Sequence, residues 1–332
     1  MSESISQAGL RTLAAEWLAA GKTVAGPVRI KPGLVQYRAL RSGDDLLFEG
    51  VQRPSNSIKE FLFPKAEKLY GYRVQGNSIE LIESDTQERV ETILIAARPC
   101  DAAALPILDH VFNWDFKDEM YNRRRAATTV VTLACSTHDE SCFCTSVGLG
   151  PASERGSDAM LFDLGGGRCE VRCLTDKGRA LFSGKTEKSD QIGNVPPGPE
   201  KKFDSKKIRT FVTDHFEDPF WQEHSLTCMG CGTCAFTCPT CHCFDILDAG
   251  PAAGNARVRS WDSCQFATFT VHASGHNPRS AQHARQRQRI LHKFAIYPEK
   301  FGDILCTGCG NCTRNCPIGL GVLSVAIEID HG

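Results

Sequence analysis

Two stretches of this 332-residue chain carry the same pattern of cysteines. Cys228-Met-Gly-Cys231-Gly-Thr-Cys234-Ala-Phe-Thr-Cys238-Pro239 reads C-x2-C-x2-C-x3-C-P, and Cys306-Thr-Gly-Cys309-Gly-Asn-Cys312-Thr-Arg-Asn-Cys316-Pro317 repeats it. This is the bacterial ferredoxin spacing. Three closely spaced thiolates can wrap three irons of one cubane only where the backbone turns tightly, which the glycines inside each run permit. The fourth cysteine, followed by proline, points away and in two-cluster ferredoxins ligates the other cluster. The spacing therefore assigns Cys228, Cys231, Cys234 and Cys316 to one [4Fe-4S] cluster, and Cys306, Cys309, Cys312 and Cys238 to a second. Structural zinc sites pair two C-x2-C knuckles across a longer gap, which two four-cysteine runs fit poorly. The 67 residues between Cys238 and Cys306 exceed the spacing of a minimal ferredoxin, so that insert has its own task.

The chain holds 17 cysteines, and the odd number argues against complete disulfide pairing. Cys100, Cys135, Cys142 and Cys144 are expected to hold a third [4Fe-4S] cluster, with buried inert thiols and a zinc site as the competing readings. Alternate residues of an extended segment point oppositely, so Cys142 and Cys144 can share a cluster only in a curved loop. For Cys241, Cys243 and Cys264, packing and tuning of the cubanes is expected ahead of a further metal held with His242. Cys169 and Cys173 lie four apart on an expected strand, hence on one face, and read as structural. Arg279, Arg285, Arg287, Arg289, His292 and Lys293 form a basic run of helical character. It reads as a solvated face, a docking surface for an acidic partner, a counter-charge to thiolate clusters or an RNA-binding helix. Arg98 and Asp101 flank Cys100 and either cap the helix after it or pair beside a cluster.

Lys plus Arg number 38 against 39 Asp plus Glu, a balance that steers the chain neither to nucleic acid nor to an anionic membrane. No apolar run approaches the roughly 20 residues that span a bilayer. The first ten residues lack a basic region followed by an apolar one, so a cytoplasmic location is expected. No P-loop, dinucleotide fingerprint or metalloprotease pattern occurs; Gly165 to Gly167 precede a strand and read as a turn.

The cysteines must be positioned by two unlike regions. None occurs before Cys100, and eleven fall between Cys228 and Cys316. Residues 183–207, rich in Gly, Pro, Ser and Lys, read as an exposed linker. Leu10, Leu13, Ala14, Trp17 and Leu18 recur at helical spacing. Residues 91–97 and 128–134 are strand-length apolar runs, each with a cysteine just beyond its end. Residues 160–164 and 170–174 flank the glycine turn as two further strands. Cys100 and Cys135 at strand ends suggest a site at the margin of an open sheet, where α/β folds place ligands. Asp101 is expected to N-cap a helix reaching Leu108. Ile208, Phe211, Val212, His215 and Phe216 share one helical face. The fold expected is α+β: a mixed α/β domain over residues 1–183, a linker over 184–206, and an α-helical ferredoxin-like dicluster domain over 207–332.

Further segments carry a resemblance covering most of the chain. They are KEFLFP at 59–64 with Glu67, Arg98-Pro99-Cys100-Asp101 with Leu108-Asp109, Tyr121 with Arg123-Arg124, and Cys142-Phe143-Cys144. The C-terminal half adds Cys238-Pro-Thr-Cys241-His-Cys243-Phe-Asp245, Trp261-Asp-Ser-Cys264 and His292-Lys293-Phe294. In these the sequence resembles the iron–sulfur β subunit of soluble sulfhydrogenases and the A subunit of anaerobic sulfite reductase. The resemblance implies a subunit without its own substrate pocket that passes electrons between a flavin-bearing, NAD(P)H-oxidising diaphorase partner and a catalytic partner. That catalytic partner would be the small and large subunits of a [NiFe] hydrogenase, or a sirohaem sulfite reductase subunit. Two readings compete: an enzyme working at an N-terminal iron–sulfur centre, and a zinc-stabilised interaction or nucleic-acid module.

Overall fold

The computed structural model describes residues 2–48, 53–83, 90–250 and 255–332. Ten strands precede residue 190: β1 (Ser2–Ser6), β2 (Thr23–Lys31), β3 (Leu34–Ala39), β4 (Ala66–Gln75), β5 (Ser78–Glu83), β6 (Thr92–Ala97), β7 (Thr128–Leu133), β8 (Ala159–Gly165), β9 (Arg168–Cys173) and β10 (Glu187–Ser189). Eight of them form one sheet in the order β10-β1-β9-β8-β7-β6-β2-β3. Its centre, β2-β6-β7-β8, is parallel, and antiparallel strands flank it on both sides.

Parallel strands covered on both faces need apolar residues on both, which explains the unbroken runs at β6 and β7. Ile93 and Ile95 of β6 pack against Leu10, Leu13, Ala14 and Trp17 of the helix Gln7–Ala19. Leu94 and Ala97 face the opposite layer, with Leu105, Leu108 and Phe112 of the helix Ala104–Phe112. The register of β6 against β7 shifts between Leu94 and Ala97, where Ala96 takes a φ of 54°. Such a bulge bends a strand and re-aims the residues beyond it, here Arg98-Pro99-Cys100.

The expected helix after Cys100 forms, but Asp101 does not cap it. Pro99 occupies the first helical position, so the turn Pro99–Ala102 starts earlier and Arg98 is the cap. Asp101 is instead buried, and the Tyr37 hydroxyl donates to it at 3.0 Å.

The C-terminal half gathers the helices Ser205–Asp214, Phe220–Ser225, Gln282–Leu291 and Val322–His331 around Ile208, Val212, Trp221, Ile290, Phe294, Val322 and Val325. It is not wholly helical. The insert between the cysteine runs supplies a hairpin, β11 (Phe244–Ala249) and β12 (Asn255–Trp261). This hairpin joins β4 and β5 in a second sheet, ordered β11-β12-β4-β5, so one sheet spans both halves of the chain. Arg259 fastens it. The guanidinium is nearly buried, bridges Glu67 at 2.5 Å and Asp118, and lies over the Phe63, Phe112 and Phe244 rings.

The segment read as an exposed linker is largely solvent-facing yet strapped down. Its β10 pairs with β1, Gly193 N–H donates to Glu170 at 2.7 Å, and Phe203 is buried in the helical core. Phe203 and a few hydrogen-bonding groups hold it down while Ile192 and Val195 stay exposed, and composition alone does not register those anchors. Among the described residues no helix is long and apolar enough to cross a membrane.

Candidate metal centres

Each cysteine run starts with a loop whose glycines have positive φ and ends in a one-turn helix, Thr233–Phe236 or Asn311–Arg314. The two halves lie side by side, with Asn311 Nδ2 donating to the Thr237 carbonyl at 3.2 Å. The result is three cysteine-lined cavities, two with four cysteines and the third with five, one of them shared with the second. Cys228, Cys231, Cys234 and Cys316 line one of about 360 Å³. Cys238, Cys306, Cys309 and Cys312 line a second of about 250 Å³. Cys100, Cys135, Cys142 and Cys144 line a third of about 350 Å³. Among the described residues no three His, Cys, Asp or Glu side chains converge tightly enough to hold one metal ion. The thiols of each set line one void, which fits the ligand set of a polynuclear cluster.

The third cavity lies off the carboxyl ends of the adjacent parallel strands β6 and β7, which supply Cys100 and Cys135. Cys142 and Cys144 arrive on a curved loop that runs into a 3₁₀ turn, Cys144–Val147. The curvature lets both thiols face one cavity despite their spacing. The loop is seated on the second cysteine run. Phe143 N–H donates to the Gly308 carbonyl at 2.9 Å. Gly308 has φ +64°, and a Cβ there would meet the Cys144 backbone at 2.5 Å. Gly310, at φ +74°, would meet the Ser141 carbonyl at 2.4 Å. Consequently Cys309 lines both the second and the third cavity. On the outer side, Asp139 receives Arg314 through two bonds of 2.9 Å and pairs with Arg53 at 3.4 Å. Burial would raise its pKa, but the Arg314 bonds hold it at about 2.

The basic run divides into a buried face and a more exposed one along the helical period. Arg285, Arg289 and Lys293 are buried, and the helix Gln282–Leu291 passes into a π-helical turn, His292–Ile296, that carries Lys293 inward. Lys293 Nζ donates to the Leu305 carbonyl at 2.8 Å, to Thr240 at 3.2 Å and to Cys238 Sγ at 3.5 Å. Burial opposes its charge, but the thiolates of Cys238 and Cys241 outweigh that and push its pKa above the usual lysine value. Arg289 donates to the Cys234 carbonyl at 3.0 Å and to Cys241 Sγ at 3.5 Å. Gln282 and Gln286 reach Cys228 Sγ at 3.3 and 3.4 Å, and Val322 N–H reaches Cys312 Sγ at 3.4 Å. Donors aimed at ligating sulfur stabilise the more negative, reduced state and raise the potential.

Lys59 falls in a segment of the resemblance that assigns it no role, and three other residues fall in none. Lys59, inside KEFLFP, is buried across the half boundary, donating to the Cys241 and Ala235 carbonyls at 2.9 and 3.1 Å with its ammonium 4.1 Å from the Trp261 ring centre. Asp139, Gln282 and Gln286 sit in no motif. Cys169, as expected, is buried in the sheet core with Cys173 packed against it. Cys241 faces Cys238, while Cys243 and Cys264 line a separate cavity with His242 and His292.

Residues 227–320 match the family model described as a 4Fe-4S dicluster domain, which marks the chain as an iron–sulfur protein. Over 322 residues it is 29% identical to sulfhydrogenase 2 subunit beta of Pyrococcus furiosus (strain ATCC 43587 / DSM 3638 / JCM 8422 / Vc1), covering 93% of this chain and 92% of that protein. The resemblance to sulfhydrogenase β subunits is thus borne out along nearly the whole chain. No solved structure matches it.

The contact between the two loops is directly testable. Gly308→Ala places a Cβ into backbone at a positive φ and should cost at least about 2 kcal/mol. Thermal denaturation should show a clear fall in Tm, whereas an unchanged Tm would mean the loops do not interlock as described.

Proposed function

We propose that this chain is an electron conduit with three [4Fe-4S] clusters in file: Cys100, Cys135, Cys142 and Cys144 at one end, Cys238, Cys306, Cys309 and Cys312 in the middle, and Cys228, Cys231, Cys234 and Cys316 at the other. The observation that carries the reading is three cavities lined by these quartets, the N-terminal one sharing Cys309 with the one taken as the middle. When bound, such cubanes supply reversible one-electron storage. The cysteines fix the positions, the interlocked loops set the spacing, and buried Lys293, Arg289 and Lys59 offset the thiolate charge between them. Cys231 is exposed, and exposed Leu226, Met229 and Ile318 lie close to it in the chain or around the same cavity, which supports that end as an outlet toward a partner.

The similarity to a sulfhydrogenase β subunit favours a cytoplasmic complex in which a flavin-bearing, NAD(P)H-linked diaphorase subunit and the small and large subunits of a [NiFe] hydrogenase stand at the two ends of the file. A sirohaem sulfite reductase is the alternative catalytic partner. One observation favours an enzyme in its own right: a cleft of about 640 Å³, flanked by Arg53 and Arg98, shares Arg53, Cys135 and Thr137 with the third cysteine cavity. Turnover of a small oxidant by the isolated chain with an artificial donor would favour that reading, and activity only with partner subunits would remove it.

Cys316→Ser should remove the cluster built mainly by the first run, and Cys142→Ser the N-terminal one, each with roughly four irons lost per chain. Iron analysis and EPR of the anaerobically reconstituted, reduced protein measure this; a full iron complement in either variant contradicts the assignment. Lys293→Gln keeps the volume and removes a buried charge. A charge worth one pKa unit is about 1.4 kcal/mol, so the midpoint of the middle cluster should move negative by on the order of 59 mV. EPR-monitored potentiometry reads the shift, and an unmoved midpoint would show that Lys293 serves packing alone.

A further inference from the structure

A fourth cavity, of about 790 Å³, lies beside the cluster sites and is used by none of them. Two thiols line it, Cys243 and Cys264, together with His242, His292, Arg279 and Arg289. The hairpin brings the thiols together. Cys243 stands just before β11 and Cys264 three residues after β12; Phe244 pairs with Trp261, and Asp262 N–H donates to the Cys243 carbonyl at 3.0 Å. Both thiols open onto this cavity, and each is the largest influence on the other's protonation. Cysteine quartets mark the cluster sites, and this cavity holds a pair.

We propose that Cys243 and Cys264 form a redox-active dithiol, a two-electron store beside the one-electron carriers. In oxidation the Cys243 S–H bond breaks and its sulfur joins the Cys264 thiolate sulfur in one S–S bond, releasing two electrons and one proton; reduction is the reverse. The proton exchanges with solvent through the cavity. The electrons pass to an iron–sulfur carrier one at a time, or as a pair to a small disulfide by thiol–disulfide exchange. Arg289 links the pair to the first cysteine run, lining the cavity and donating to the Cys234 carbonyl. The surroundings favour an attacking thiolate at Cys264. The S–H of Cys243 donates to it, burial opposes, and Arg289 and Gln265 assist, lowering its pKa to about 5. Burial lowers the pKa of His242 to about 4 and of His292 to about 3, so both are neutral at pH 7 and leave the guanidinium groups as the positive charges lining the cavity. The electron partner in this proposal rests on the cluster reading; the thiol pair does not.

The test uses the full chain, reconstituted anaerobically and poised with mixtures of reduced and oxidised dithiothreitol. Acid quenching, alkylation and peptide mass spectrometry then read each cysteine. The expected result is a peptide pair linked through Cys243 and Cys264 at oxidising poise and two free thiols at reducing poise, with iron content unchanged throughout. Cys264→Ser and Cys243→Ser should each abolish the link while keeping the wild-type iron content and EPR spectrum. Two free thiols at every poise would overturn the proposal. Loss of iron in either variant would also overturn it, by making these residues cluster ligands. A wild-type chain without any cubane signal would defeat the cluster reading, and the mass measurement would still decide the pair.

Discussion

The geometry of the cysteine sites depends on one contact without room for a side chain. Gly308 and Gly310 of the second cysteine run press their backbones against the loop Ser141–Cys144. An L-residue at either position would be strained twice, by its positive φ and by overlap with main chain. The contact couples two regions that are distant in sequence, the end of the parallel strands and the dicluster domain. Because of it, Cys309 borders two thiol-lined cavities and the N-terminal quartet is placed next to the others. The hairpin β11-β12, pairing with β4, closes the same junction from the other side.

Charge is the second constraint. Many thiolates within a small volume repel one another, and the chain answers with cations drawn from both halves. Lys59 comes from the N-terminal half, Arg289 and Lys293 from one helix and its π-helical continuation. An ammonium or guanidinium this deeply buried is tolerable only when paired. Each donates to carbonyls or sulfurs of the cysteine segments. The same groups that make the thiolate sites tolerable in folding set the electrostatic environment in which electrons would be held.

Much of this is legible in the sequence where the chemistry dictates spacing. The two C-x2-C-x2-C-x3-C-P runs can be read directly, and so can the parallel strands, whose continuous apolar character follows from burial on both faces. The spacing of Cys142 and Cys144 states that a curved loop is required, but not which glycine backbone seats it. The features hidden from the sequence depend on tertiary context. Arg285, Arg289 and Lys293 recur at the spacing of one helical face, but whether that face meets solvent or the cysteine runs is decided only by tertiary packing. Asp101 looks like a cap when Pro99 is taken to end a strand, whereas Pro99 starts a helix. The hairpin inside the insert, and its pairing with β4, cannot be inferred from either segment alone, since strand partners carry no local signal.

Three thiol-lined cavities are proposed to hold one cubane each. Anomalous diffraction at the iron edge from crystals grown without oxygen measures this most directly. Three compact iron peaks are predicted, each enclosed by one of the cysteine quartets, with the peak at Cys100, Cys135, Cys142 and Cys144 neighbouring the one that Cys309 helps to hold. A void left empty of iron, or a peak centred instead between Cys243 and Cys264, would contradict it.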